Sequence, residues 1–239
     1  MCRRPAAGGG LALALTLVGC AAGDLSSGSD NPFTTNKPGE EETGVTLMQM
    51  DAGMDTGPAI LERALPIAPD DTSGALHEKL SALGAALLED GLRALAAGAL
   101  PAPRAQDDGR ATRAPLLDKE HGRADFTRPA RLVSGQLRGV DPWPGAYALV
   151  SGAPGAEGEA VPLKLFRPRV SSGSGAPGEV LGADKDGLHV ACGEGAVAIA
   201  ELQLPGRKRM AAQALLAGFP LPRGTILGGG MRNELLDAG

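Results

Sequence analysis

A chain of 239 residues with 43% hydrophobic content is long enough for one or two domains with a buried core. A formal charge of −5 gives no whole-chain attraction for nucleic acid, so any such contact has to come from a local patch. Three sparse cysteines (Cys2, Cys20, Cys192) and three scattered histidines (His77, His121, His189) exclude a disulfide framework and show no metal-ligand spacing.

Residues 1–39 read differently from the rest. A basic Arg3-Arg4 start leads into the apolar run Leu11–Val18, which is too short to span a bilayer. Leu17-Val18-Gly19-Cys20 resembles a bacterial lipobox, so Cys20 is a candidate lipidation site. A polar Ser/Gly/Asn/Pro stretch from Asp24 to Gly39 has the composition of a tether.

From Glu40 the pattern becomes that of a folded protein. Val45–Met50 reads as a buried strand. It runs into a loop in which Asp55 sits between Gly53 and Gly57, a setting that can present a carboxylate and bare backbone to a ligand. An Asp in such a place also serves as a turn former that bonds its own backbone. A second strand is expected over Ala59–Ile67. Asp70-Asp71-Thr72-Ser73 then supplies capping oxygens for a helix ending near Gly98, with an apolar stripe of Leu76, Leu80, Leu83, Leu87, Leu88, Leu92 and Leu95. Pro101–Pro115 is a linker.

Beyond it, Pro129 starts a short helix with Leu132, Val133 and Leu137. Trp143, between Pro142 and Pro144, is expected as a packing anchor. Short strands follow at Tyr147–Ser151, Val161–Val170, Gly178–Ala183, Gly187–Cys192 and Ala196–Leu204, then a helix over Met210–Ala217. That spacing predicts a small OB-like barrel. Asp184-Lys185-Asp186-Gly187 is a hairpin turn, and Cys192 a buried small hydrophobe within its strand.

Several strings carry a family resemblance. Thr43-Gly44-Val45-Thr46 followed by Met50-Asp51-Ala52-Gly53, then Asp141-Pro142-Trp143-Pro144-Gly145-Ala146, then Leu202 to Met210 resemble the folate-dependent formyltransferases, and among them the methionyl-tRNA formyltransferase family. The resemblance runs from about Glu40 to about Gly228. It implies an α/β remnant of a doubly wound catalytic domain (40–98), a linker (99–125), an OB-like tRNA-binding domain (126–228) and a tail (229–239), after the leader and tether (1–39).

The same resemblance implies formyl transfer from 10-formyltetrahydrofolate to the amine of initiator methionyl-tRNA, with no metal. It makes Asp55 the catalytic carboxylate and Asp51, Ala52, Gly53 and Met54 the lining of the pterin end of the folate pocket. Lys164, Arg167, Arg169, Arg207, Lys208 and Arg209 become phosphate-contact candidates. Taken without the resemblance, the basic run Arg207-Lys208-Arg209 is a solvated turn. The family's Asn-x-His pair and Ser-leu-leu-pro loop have no counterpart before Glu40. The chain is therefore expected to be truncated or chimeric, inactive as written, monomeric and cytoplasmic. The alternatives are a tRNA-binding remnant without catalysis, or a lipoprotein anchored to a membrane through Cys20. Residues 40–98 are expected to be loosely ordered alone, and 126–228 to fold independently.

Overall fold

The computed structural model describes residues 13–17, 41–53, 55–107, 116–151 and 160–228. Its first unit is a three-stranded sheet in the order β1 (Leu13–Leu17), β2 (Glu42–Gln49), β3 (Ala59–Pro66), covered by helix α1 (Ser73–Ala96). Both pairings are antiparallel. The expected doubly wound remnant is thus met by its strands and covering helix, while the sheet itself holds no parallel pair among the described residues. β1 comes from the leader: its backbone pairs with β2 from Leu13 opposite Gln49 to Leu17 opposite Val45.

β2 is buried from Thr43 to Met48, as expected of a strand covered on both faces. Val45 and Leu47 pack on Leu80 and Leu87 of α1 to form the core of this unit. Thr72 caps α1, its hydroxyl accepting from the Ala75 N–H at 3.2 Å. The buried stripe of α1 is Leu76, Leu80, Gly84, Leu87 and Gly91. Leu92 and Leu95, assigned to that stripe by the apolar pattern, are exposed instead. Hydrophobicity alone misses the two glycines. A Cβ at Gly91 would lie 2.3 Å from Leu47 Cδ2, so a bare backbone is what lets the helix approach the sheet.

The second unit holds the larger core. Helix α2 (Ala130–Gly139) packs against a sheet ordered β4 (Tyr147–Val150), β5 (Val161–Ser171), β8 (Ala196–Gln203), β7 (Gly187–Ala191), β6 (Val180–Asp184), with β9 (Met210–Ala211) beside β8 and helix α3 (Ala212–Gly218) closing one side. Phe126, Val133, Leu163, Leu165, Leu188, Ile199, Leu202 and Leu227 fill its interior. The sheet is not a closed barrel among the described residues. Its edges β4 and β6 do not pair with each other; residues 224–228 run between them, bonded to Leu149 on one side and to Gly178 and Val180 on the other.

The units meet at the start of α1. Ser73 Oγ and the Gly74 N–H both donate to the Asp141 carbonyl, at 2.7 and 3.1 Å. Arg138 donates to the Asp71 carbonyl at 3.1 Å. A Cβ at Gly74 would sit 2.9 Å from Pro142 Cδ. Pro142 is therefore the packing group of this corner, and Trp143, expected as the anchor, is 57% exposed. Cys192 lies just past the end of β7, and burial pushes its thiol up to about 12.

Candidate functional site

The loop between β2 and β3 carries the candidate carboxylate. At its base the Gln49 N–H donates to the Pro58 carbonyl at 3.0 Å. The pairing of β2 with β3 shifts register between Leu47 and Met48, a bulge that redirects the chain as it enters the loop. Inside the loop Asp51 folds back: its Oδ1 accepts from the Gly53 N–H at 3.0 Å and from the Thr56 hydroxyl at 2.8 Å. Gly57 is buried, and a Cβ there would lie 1.8 Å from the Gln49 carbonyl oxygen, so no other residue fits.

Asp55 adopts φ 56°, the left-handed region. A non-glycine residue there is uncommon, although Asp tolerates it better than most, and such strain clusters at functional sites. Asp51 therefore plays the turn-forming part that an Asp between glycines could have played, while the exposed Asp55 is presented by the loop. Ala52 and Gly53 are exposed beside it, and Met54 lies outside the described residues.

The group that holds this loop from outside has no signal in the sequence. Gln106, on the linker, donates through Nε2 to the Asp55 carbonyl at 2.9 Å and to the Gly57 carbonyl at 2.6 Å. The linker is fixed there because Arg104 and Ala59 exchange both backbone hydrogen bonds, each 2.8 Å. Arg104 also pairs with Glu62. A glutamine in a Pro-rich polar stretch has no periodic or motif signal. A depression of about 240 Å³ between β3 and the linker is lined by Ala59, Ile60, Glu62, Ala102 and Arg104; Asp55 does not line it.

The basic candidates lie on the second unit. The register places Lys164 opposite Gln203 and Phe166 opposite Glu201. Arg209 stacks 4.0 Å over the Phe166 ring and pairs with Glu201. Arg167, at φ 52°, pairs with the same Glu201 at 3.3 Å. Burial acts to raise the Glu201 carboxyl, but its bonds to Arg209 and Arg167 outweigh that and hold it below the usual range. Arg207 and Lys208 stand exposed at the end of the turn at 205–207, where the Arg207 N–H donates to the Leu204 carbonyl at 3.0 Å. Among the described residues Lys164, Arg207 and Lys208 make no carboxylate pair. Arg169 instead reaches Asp70 of the first unit at 3.1 Å. The structure thus gathers Lys164, Arg167, Arg207, Lys208 and Arg209 at one end of the β5–β8 pair and turns Arg169 towards the other unit.

A third grouping was not foreseen. Ser171 Oγ lies 3.2 Å from His189 Nδ1, and His189 Nε2 lies 2.9 Å from Asp184 Oδ1. The composition is that of a nucleophilic triad. However, the Asp184 side chain is 55% exposed and nothing excludes water from it. The bridge spans β8 where it carries Ala196 and Ala198, small residues that leave room for a contact between β5 and β7. Among the described residues no group of acidic, His and Cys side chains could hold a metal ion.

Both units contain regions that match known proteins. Residues 28–92 match the family described as "Formyl transferase", and residues 116–220 match "Formyl transferase, C-terminal domain". The chain belongs to the formyl transferase family. It is 47% identical over 189 residues to the methionyl-tRNA formyltransferase of Trichlorobacter lovleyi, covering 79% of this chain and 57% of that protein. It is 47% identical over 190 residues to the methionyl-tRNA formyltransferase of Citrifermentans bemidjiense, covering 80% and 57%. The chain therefore spans little more than half the length of these relatives. By fold it is similar to HypX from Aquifex aeolicus in complex with tetrahydrofolic acid, with a TM-score of 0.55 and 18% identity over 92% of this chain and 38% of that one. In this member of the formyl transferase family the Asp55 loop and the second unit are connected by a linker whose Arg104 and Gln106 are bonded to the first unit.

Proposed function

We propose that the chain is the back part of a methionyl-tRNA formyltransferase. On this reading its OB-like C-terminal unit, residues 126–228, lies along the initiator methionyl-tRNA. Asp55 faces the reacting amine and the formyl donor 10-formyltetrahydrofolate, with Asp51 to Met54 toward the pterin. The observation that carries the reading is the loop itself: a carboxylate held at φ 56° at the end of the Thr43-Gly44-Val45-Thr46 strand, in a chain 47% identical to two enzymes of that name.

Acyl transfer needs a group that takes the proton of the attacking amine and donors that meet the developing oxyanion. A carboxylate can accept a proton but supplies no donor for the oxyanion. By the family resemblance Asp55 orients and tunes a histidine base, and residues 1–39 contain no histidine to serve as one. Loss of a single oxyanion donor costs about 10²–10³ in rate. The 239-residue chain by itself is accordingly inactive on this reading. Incubated with 10-formyltetrahydrofolate and methionyl-tRNA, it should give formylation at background, and Asp55→Asn should change neither that nor tRNA binding. Formyl transfer clearly above background would overturn the inactivity.

Binding to tRNA tests the other half. Phosphate contacts make affinity fall with salt, by a log–log slope near 0.7–0.9 per phosphate neutralised. Among the described residues Arg207 and Lys208 are paired with no carboxylate, whereas Arg209 and Arg167 share Glu201. Replacing Arg207 and Lys208 by Ala should lower the slope by roughly 1.4–1.8 units, and Arg209→Ala by less. An unchanged slope in the double variant would remove this surface from the interface.

Both substrates of the proposed reaction are cytoplasmic, which supports that localisation. The pairing of Leu13–Leu17 with β2 also engages in the fold the apolar run that export and lipidation at Cys20 would need. Cys20 itself lies outside the described residues. Palmitate incorporation at Cys20 in cells would instead establish the membrane-anchored form.

A further inference from the structure

Gln106 is separated from Asp55 by 51 residues, yet its carboxamide holds the carbonyls of Asp55 and Gly57 in the loop that presents that carboxylate. A carboxamide has two N–H donors on one atom. Both partners here are carbonyl oxygens, so the hydrogen-bond network itself fixes which way the amide faces. The loop's own bonds run elsewhere, from Gly53 and Thr56 to Asp51, and leave the Asp55 and Gly57 carbonyls to the linker. The linker can carry that task because Arg104, two residues earlier, is paired through its backbone with Ala59 at the foot of β3.

We propose that Gln106 is a positioning residue of the transfer site. It is the clamp that keeps Asp55 in the left-handed conformation and aims its carboxylate. The inference rests on the reading that Asp55 serves formyl transfer. One hydrogen bond to the strained residue's own carbonyl and a second to the carbonyl two residues on offset the strain; without them the loop relaxes to conformers in which the carboxylate points elsewhere. The segment joining the tRNA-binding unit to the first unit is then part of the site.

Hydrogen exchange on the full 239-residue chain tests the clamp. In Gln106→Ala and Gln106→Glu at pH 7, a peptide covering residues 50–58 should exchange about tenfold faster than in the parent, while peptides from α1 and β8 stay unchanged. At pH 7 the glutamate has no donor and faces two carbonyls. Near pH 4, where a glutamic acid regains one O–H, Gln106→Glu should recover part of the loop protection relative to Gln106→Ala. A residue that merely fills space would show no such pH-dependent rescue. Unchanged loop exchange in both variants, or a glutamate variant that tracks the alanine variant at both pH values, overturns the proposal. Failure of the underlying reading would look different: formyl transfer above background that Asp55→Asn leaves intact, with loop exchange still governed by Gln106.

Discussion

At the scale of single residues, several side chains are held by partners far away in sequence. Asp71 shows the consequence most directly. It is buried, its carboxylate accepts from the Ala68 N–H at 2.9 Å and from Lys79 Nζ at 2.7 and 2.6 Å, and Arg138 lies close. Burial acts to raise its pKa, but the Lys79 and Ala68 bonds and the two cations outweigh it, and the net shift is downward. A lowered carboxyl contributes stability above its ordinary range, and that stability is lost as the pH falls through the folded value. Asp71→Ala should cost about 1 kcal/mol at pH 7, because it removes the acceptor of the Ala68 N–H and the partner of Lys79. The gap in Tm between the variant and the parent should close below about pH 4. A gap that persists unchanged at pH 3 would mean that Asp71 acts through packing rather than charge. Glu201, held down by Arg209 and Arg167, obeys the same sign.

Among the elements, α1 sets two effects against each other at one position. Gly91 is a poor helix residue, and alanine there gains about 1 kcal/mol of helix propensity. The added methyl would also approach Leu47 Cδ2 to 2.3 Å, and Leu47 is fully buried, so its side chain must repack to make room. Overpacking of that kind costs about 1–3 kcal/mol, so Gly91→Ala should be net destabilising in urea denaturation. A more stable variant would show that the helix can lift from the sheet without loss. Gln136 works across α2 in a similar way to Gln106. Its Nε2 donates to the Arg123 carbonyl at 2.8 Å and its Oε1 accepts from the Asp125 N–H at 3.3 Å, binding the end of the linker to the second unit.

For the whole molecule, the linker is not a uniform tether. Arg104 is paired with Ala59 through both backbone groups, and the Arg207–Lys208 turn is exposed with few backbone bonds. Proteases cut where the backbone can open locally. Trypsin under native conditions should therefore cleave after Arg207 or Lys208 well before it cleaves after Arg104, as read by mass spectrometry of timed digests. Early cleavage at Arg104 would show that the Ala59 bridge opens freely and that the first unit is looser than its core implies. The Ser73, Gly74 and Arg138 bonds at the corner between the units also bear on this result, because they support the first unit from outside its own small core.

Patterning alone determined a good deal. The alternating short strands, the capped helix after Asp70 and the turn at Asp184–Gly187 are local, because period and turn chemistry are written in neighbouring residues. The observed bounds of β3, α1, α2 and β5 to β8 fall within a few residues of those expected. The family string around Thr43 pointed to the loop that carries Asp55, and the one around Asp141 to the second unit. Tertiary structure alone decided the rest. Trp143 is exposed because Pro142 takes the corner; Leu92 and Leu95 are exposed because Gly84 and Gly91 form the contact face; Arg169 turns to Asp70. Leu13–Leu17, read from the sequence as part of a lipoprotein-like leader, pairs with β2. Gln106 reaches Asp55 from 51 residues away. Each of these depends on which distant segment arrives at a given place, and neither composition nor period carries that information.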